Sequence, residues 1–336
     1  MILKSSIEKL MRGENLSPIA CQQALDEILN PTINPLQIAA FLVLLRAKKE
    51  TADELSAIIK ALRDKMIVVP TSHAVLDIVG TGGDGLNTIN ISTGSAILAA
   101  SCGIKVAKHG NRSVSSLTGS ADVLEALGIN IDLTSDQVSK SISETGIGFC
   151  YFPNFHPVTQ ALRLFRKELN VTTTFNILGP LLNPANAAHI ILGVLDEALL
   201  PIMADVLIQT GSGRSVIVHG MGMDEISCAG SVKIIEVNGQ EKMEYTIDPL
   251  DFGFPRCSIA DLRGGDAKTN AQILLDTFKG KRGPIADTLI LNTAVALYLY
   301  GLHPSISEAL SHASDILYNG SALTLLKNWI EFSHDQ

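Results

Sequence analysis

The chain has 336 residues, 46% hydrophobic and 18% charged, with 27 glycines, which excludes a disordered or fibrous polypeptide and gives enough length for about two domains. A formal net charge of −8 excludes a general binder of nucleic acid or of anionic membrane, since both need basic surface. Five scattered cysteines without a C-x-x-C pair signal neither a zinc centre nor a disulfide framework, so buried free thiols are expected.

Residues 1–66 read as helices without glycine clusters, and the first dozen lack the apolar core of a signal peptide, so a cytoplasmic protein is expected. Ile7, Leu10 and Met11 share one face of the first helix. Ser17-Pro18 and Asn34-Pro35 start the second and third, and Thr51-Ala52-Asp53-Glu54 starts a fourth through residue 65, by the usual cap and first-turn proline signals. The third, over 35–48, is apolar nearly all round and must be covered from more than one side. It is either the centre of a small helical domain or shared with a second subunit, and a homodimer through this region is the expectation. Residues 68–72 read as a linker. The expected division is a helical domain over 1–70, with a contribution from about 157–185, and a large α/β domain over 71–336.

Past the linker, strands at 75–79, 104–107, 148–151, 189–194 and 215–219 alternate with helices at 93–101, 120–127, 135–145 and 197–210. That alternation predicts a mainly parallel sheet covered by helices on both faces. Residues 231–237 and 243–247, joined by Asn238-Gly239, read as a hairpin. The tail over 267–332 is helical, and its apolar stretch at 289–299 is too short to span a bilayer. A helix from His156-Pro157 to about residue 169 carries Arg163, Arg166 and Lys167. The block from Phe175 to Pro184 is apolar and proline-punctuated, which fits a hinge or an inter-domain crossing.

Chemistry concentrates in three loops. Gly80-Thr81-Gly82-Gly83-Asp84-Gly85 follows the first strand, and Asn90-Ile91-Ser92-Thr93-Gly94 then opens a helix. Glycines let main-chain N–H groups approach a phosphate, and a helix start adds unpaired donors. The spacing is neither a dinucleotide fingerprint nor a Walker A loop, and a plain tight turn needs one or two glycines rather than four. Lys108-His109-Gly110-Asn111-Arg112-Ser113-Val114-Ser115-Ser116 follows the second strand and offers charged and neutral donors at the same sheet edge. Asp224-Glu225, beyond the strand at 215–219, is a pair of hard oxygen ligands that suits Mg²⁺ beside a phosphate site. On its own such a pair is more often solvated surface.

Those motifs, with Gly119-Ser120-Ala121-Asp122-Val123-Leu124-Glu125 and the Phe175–Pro184 block in the same order, resemble the anthranilate phosphoribosyltransferases over essentially the whole chain. The resemblance implies a small helical domain hinged to an α/β domain, as in the nucleoside phosphorylase fold class, and usually a homodimer. It implies 5-phosphoribosyl 1-diphosphate held by Gly80, Gly83, Asp84, Thr88, Asn90, Ile91, Ser92, Thr93, Lys108, His109, Gly110, Asn111, Arg112, Ser113, Val114, Ser115, Ser116 and Ser120. Anthranilate is expected near Gly80, Asn111 and Arg166, with the Arg166 guanidinium on its carboxylate. Up to two Mg²⁺ ions are expected on Ser92, Asp224 and Glu225. No residue is implied as acid or base, and Lys108 with Mg²⁺ would stabilise the leaving group. Leu117, Thr118, Asn170 and Thr172 depart from the family pattern. The rivals are a pyrimidine nucleoside phosphorylase or another phosphoribosyltransferase of the same fold, and a non-catalytic relative that binds nucleotides or nucleic acid.

Overall fold

The computed structural model describes residues 2–30, 32–113, 117–159, 169, 171 and 173–335. Its first four helices are α1 (Ile2–Met11), α2 (Pro18–Ile28), α3 (Pro35–Lys48) and α4 (Ala52–Arg63). The last three start where the sequence supplies caps: Ser17 accepts from Ala20 N, Asn34 from Leu36 N, and Thr51 closes a capping box with Glu54. In α1 the buried face is Leu3, Ser6 and Leu10, while Met11 is 70% exposed, a correction to the expected face. Leu3, Ser6 and Leu10 fall on one stripe at helical spacing with half-buried Ile7 beside it, and Met11, one residue past Leu10, turns away from it. Helix α3 buries Ile38, Phe41, Leu42 and Leu45 yet leaves Leu36 75% and Val43 39% exposed.

The sheet holds seven strands among the described residues: β1 (Leu76–Gly80), β2 (Val106–Gly110), β3 (Ile147–Tyr151), β4 (His189–Gly193), β5 (Ser215–His219), β6 (Val232–Asn238) and β7 (Glu241–Ile247). Their order is β3-β2-β1-β4-β5-β6-β7, parallel through β5 and antiparallel for the last two, so the mainly parallel sheet expected from the alternation holds. Strands β2 and β4 flank β1, so successive connections leave β1 in opposite directions, which makes the carboxyl ends of β1 and β4 the crevice where ligands of open α/β sheets bind.

One face of the sheet is covered by α5 (Ile91–Ser101), α6 (Ser120–Leu127) and, near the C-terminus, α10 (Ala267–Phe278), α11 (Pro284–Tyr300), α12 (Ile306–Tyr318) and α13 (Ser321–His334). On the other face, α9 (Leu199–Thr210) packs against α4, and Phe41 and Leu42 join Leu207, Ile190 and Leu192 in one continuous apolar cluster with α7 (Ser135–Thr145). The N-terminal helices therefore share their core with the back of the sheet. Helix α8 (Thr174–Leu178) packs on α3 and opens the crossing segment.

Several boundaries move from their expected places. Strand β2 continues through Lys108, His109 and Gly110, which pair with Phe149, Cys150 and Tyr151, because the parallel register with β3 satisfies their backbone groups. Helix α5 begins at Ile91 and α9 at Leu199, and the hairpin turn falls on Gly239-Gln240. Most of the helix expected after His156 lies outside the described residues; Pro157–Thr159 form one short turn. All five cysteines are free thiols, four of them buried.

Candidate active site

The loops after β1, β2, β4 and β5 meet around one cleft of about 710 Å³. Gly83 and Asn111 both line it, so the two donor-rich stretches do converge. Loop 81–90 reaches this shape through left-handed backbone at Gly82 (φ 67°), Gly83 (φ 93°), Gly85 (φ 68°) and Asn87 (φ 53°), conformations that glycine adopts without steric cost. Asp84 Oδ1 accepts from Leu86 N at 3.1 Å, tightening the turn. Asn90 precedes α5 without capping it by side chain; its amide instead donates to Thr118 O (3.1 Å) and accepts from Asn270 (2.9 Å). At the start of α5 the Ile91 N–H is taken by Ile89 O (2.7 Å) and the Ser92 N–H by the Glu225 carboxylate, which ties the acidic turn to this helix start, and Ser92 lines the cleft there.

The Asp224-Glu225 turn reaches the cleft by crossing the two central strand ends. Gly80 and Gly193 are partners in register on β1 and β4. A Cβ on Gly193 would fall 1.6 Å from Asp224 O, and one on Gly80 2.2 Å from Asp224 Oδ2. No side chain fits at either position, which is why the acidic turn can seat directly on the sheet. Asp224 is buried and its Oδ2 accepts from Gly82 N at 2.6 Å, tying the acidic turn to the glycine loop. Burial raises the Asp224 carboxyl, the Gly82 N–H opposes this, and Asp84 adds to the rise. Glu225 is half-buried as a whole, but its carboxyl is pushed well above the usual range by desolvation and then by Asp224, with Lys108 opposing.

Lys108 is buried on β2 and donates to Ile78 O (2.7 Å) and His109 O (3.1 Å). Burial lowers its ammonium, against the pull of the Asp77 and Glu225 carboxylates. Beneath it Asp77 accepts from His109 N (3.2 Å) and from Asn183 Nδ2 (2.8 Å), so the crossing segment is anchored under the site. His109 stacks on Phe152 and lies near His156; burial first, then His156 and Lys108, hold it well below its ordinary value, so the ring is neutral at pH 7. Its Nε2 has no partner among the described residues.

Arg112 is latched outward: it donates to Tyr151 Oη (3.2 Å), Asp122 (3.1 Å) and both Glu125 oxygens (2.5 and 2.8 Å). The other Asp122 oxygen accepts from Ser113 N (3.0 Å) and Gly119 N (2.9 Å), pinning both ends of the loop between them. A Cβ on Gly119 would sit 2.3 Å from Ser113 N, so the loop closes on itself only with glycine there.

Of the residues expected at the site, Gly80, Gly83, Asp84, Thr88, Asn90, Ser92, Lys108, His109, Gly110, Asn111, Arg112, Ser113, Ser120, Asp224 and Glu225 line the cleft. The side chain of Ile91 belongs to the core under α5, and Thr93 is buried beside it, so neither faces the cavity. Val114, Ser115, Ser116, Arg166, Asn170 and Thr172 lie outside the described residues. Leu117 is 66% exposed, and Thr118 bridges the loop to Gly265 O at 2.8 Å. Thr81 from the glycine loop and Asn176 from the crossing segment also line the cleft, while Arg46, Asn87, Leu195 and Asp196 line it without having been expected. Leu195 and Asp196 were readable from the rule that ligands sit at strand carboxyl ends. Arg46 carried no such signal, because a basic residue in a last helical turn reads as complementing the dipole.

Known proteins match this chain end to end. Residues 4–66 fit the helical bundle domain of a glycosyl transferase family, and residues 72–323 fit the a/b domain of the same family. Anthranilate phosphoribosyltransferase of Acetivibrio thermocellus is 46% identical over 335 residues, covering 99% of this chain and 97% of its own. The enzyme of Chlamydia felis is 44% identical over 333 residues, with the same coverage of 99% and 97%. The crystal structure of the Thermus thermophilus enzyme superposes with a TM-score of 0.92 at 36% identity over 98% of this chain and 99% of that one. That of the Saccharomyces cerevisiae enzyme in complex with PRPP and Mg gives 0.91 at 29% identity over 99% and 98%.

Proposed function

This chain belongs to the anthranilate phosphoribosyltransferase family and moves the phosphoribosyl group of 5-phosphoribosyl 1-diphosphate onto the amine of anthranilate, releasing diphosphate in tryptophan biosynthesis; from that premise we propose how its cleft divides the task. The glycine loop over 80–85, the start of α5 and the strand end and loop over 108–120 hold phosphoribosyl diphosphate. Gly80 and Asn111 would take the amine substrate, and the resemblance adds Arg166, whose guanidinium would meet its carboxylate. Asp224, Glu225 and Ser92 would hold up to two Mg²⁺ ions. The donor set fits: Asp84, Asp224 and Glu225 act on one another as like charges in a desolvated turn, and a divalent cation offsets that repulsion. When bound, Mg²⁺ neutralises the diphosphate as it departs.

The reaction breaks the bond from ribose C1 to the diphosphate oxygen and forms one from C1 to the amine nitrogen, which then sheds a proton. The nucleophile is a neutral amine, so no strong base is required, and the protein's work is to receive negative charge and to align the partners. Lys108 is suited to the first task, held by two carbonyls with its remaining N–H near the cleft. The observation that carries this reading is the convergence of the glycine loop, the Lys108 strand and the Asp224-Glu225 turn on one cleft.

Anthranilate fluorescence should fall on adding phosphoribosyl diphosphate with Mg²⁺ and hold steady with chelator; turnover that persists in chelator would remove the metal assignment. Arg166→Ala should raise KM for anthranilate far more than for the diphosphate.

We infer a homodimer through the helical domain, a reading supported by the exposed apolar Leu36 and Val43 on α3. A monomer at micromolar concentration in sedimentation overturns this. The chain divides near residue 70, segment 157–185 contributes to the helical side, and the enzyme works in the cytoplasm.

A further inference from the structure

Among the described residues of the four N-terminal helices, only Arg46 lines the cleft. It stands in the last turn of α3, and its position is built rather than incidental. Nη1 donates to Glu50 Oε2 at 3.0 Å, and the other Glu50 oxygen accepts the Thr174 hydroxyl at 2.5 Å. Glu50 and Thr174 are both buried. Thr174 opens α8, which packs on α3 and sends Asn176 and Ile177 to the same cleft. A single buried carboxylate therefore fixes a cation of the helical bundle against the crossing segment. Glu50 takes one of five guanidinium N–H groups, and the others make no hydrogen bond to a described residue. Of the other cationic side chains of the cleft, Lys108 gives two N–H groups to carbonyls and keeps its third for the leaving group, and Arg112 is held by Asp122 and Glu125.

A planar guanidinium beside an apolar side chain and a carboxamide is the set of groups that recognises an aromatic carboxylate, and a fork-shaped donor does so with two parallel hydrogen bonds. We propose that Arg46 is a specificity residue for the acceptor, reading the carboxylate next to the attacking amine, and that Glu50, steadied by Thr174, is its positioning residue. The inference rests on the acceptor being anthranilate. It adds a second cation, on the helical-bundle wall, to the one expected from Arg166.

Steady-state kinetics with anthranilate, set against inhibition by its neutral isostere 2-aminobenzamide, separate a carboxylate contact from a general disturbance. Arg46→Gln should raise KM for anthranilate about 10- to 100-fold, the range of a lost charge-assisted hydrogen bond. KM for phosphoribosyl diphosphate and the inhibition constant of 2-aminobenzamide should stay within about twofold. Arg46→Lys keeps the charge without the fork and should fall between. Arg46→Gln strands the Glu50 charge, so the paired variant R46Q/E50Q guards against misfolding and must give the same KM for anthranilate. Glu50→Gln alone should raise that KM by a smaller factor. Equal weakening of anthranilate and 2-aminobenzamide, or a rise confined to the diphosphate, overturns the role of Arg46. Failure of the unaltered enzyme to consume anthranilate would instead overturn the assigned reaction.

Discussion

Strand β5 has a buried acid near each end, and the two are treated in opposite ways. Beside its amino end Glu236 accepts from Arg214 Nε (2.7 Å), Tyr245 Oη (3.1 Å) and Tyr298 Oη (3.2 Å), while the Arg214 guanidinium stacks 3.8 Å from the Tyr298 ring centre. Beyond its carboxyl end Asp224 and Glu225 face Asp84, and among the described residues no ion pair compensates any of the three. Burial in a low dielectric penalises an ion unless partners replace its water. The Glu236 group has those partners, so it is architecture. The acidic turn has main-chain N–H donors from Gly82 and Ser92 but no ion pair, and burial keeps its carboxyls raised, as at a site awaiting a counter-charge from its ligand.

The sharpest way to break this contrast is to neutralise each end. Asp224→Asn with Glu225→Gln should cost on the order of 10³-fold in Mg²⁺-dependent turnover. It should leave the metal-free melting midpoint equal or higher, because repulsion has been removed. Retained turnover, or a clear loss of metal-free stability, would place the acidic turn with the structural charges. Gly193→Ala tests the seat of that turn without touching an acid. Its Cβ would press on Asp224 O from 1.6 Å, so the turn must shift, and a displacement near 1 Å costs about 10²-fold in rate. A near-normal rate would show that the turn adapts.

At the other end, Glu236→Gln keeps the side-chain shape but leaves Arg214 without its counter-charge. Arg214 retains 27% side-chain exposure, so the loss should be about 2 kcal/mol rather than the larger cost of a fully buried break. Turnover should stay within about twofold, and chemical denaturation with parallel kinetics reads both. A drop in turnover without loss of stability would mean that the two ends of β5 are coupled.

The functional end was far more legible in the sequence than the structural one. The glycine loop, the Lys108 stretch and Asp224-Glu225 are local motifs following strands, so their convergence follows from the rule that parallel strands end at one edge. Arg214, Glu236 and Tyr298 are 22 and 62 residues apart, and no local pattern announces their meeting. The same limit hid Arg46, whose partners lie on α8 across the fold. Lys108 and His109 were expected in a loop because charged residues seldom sit in central strands. What overrode that prior was main-chain pairing with β3 together with the carbonyls and Asp77 beneath.

Asp77 is the case between the two extremes, and its effect is read as a slope with pH rather than as a loss at one pH. It accepts from His109 N and Asn183 Nδ2 with Lys108 nearby, yet burial still pushes its carboxyl up to about 6 from 3.8. A carboxyl raised in the fold binds its proton more tightly there than in the unfolded chain. Its contribution is therefore fully present below about pH 4 and is lost as pH rises through about 6. The total is at most ~3 kcal/mol, and the slope no more than about 1.4 kcal/mol per pH unit. Asp77→Asn abolishes this titration. The exchange also turns one carboxylate oxygen into a donor facing a donor, so the variant starts with one hydrogen bond fewer. The test is consequently the trend and not the level: from pH 4.5 to 7.5 urea unfolding should show the variant gaining on the unaltered protein. A gap that widens with pH would mean that Lys108 holds Asp77 ionised throughout, and that the floor of the cleft is compensated in the manner of Glu236.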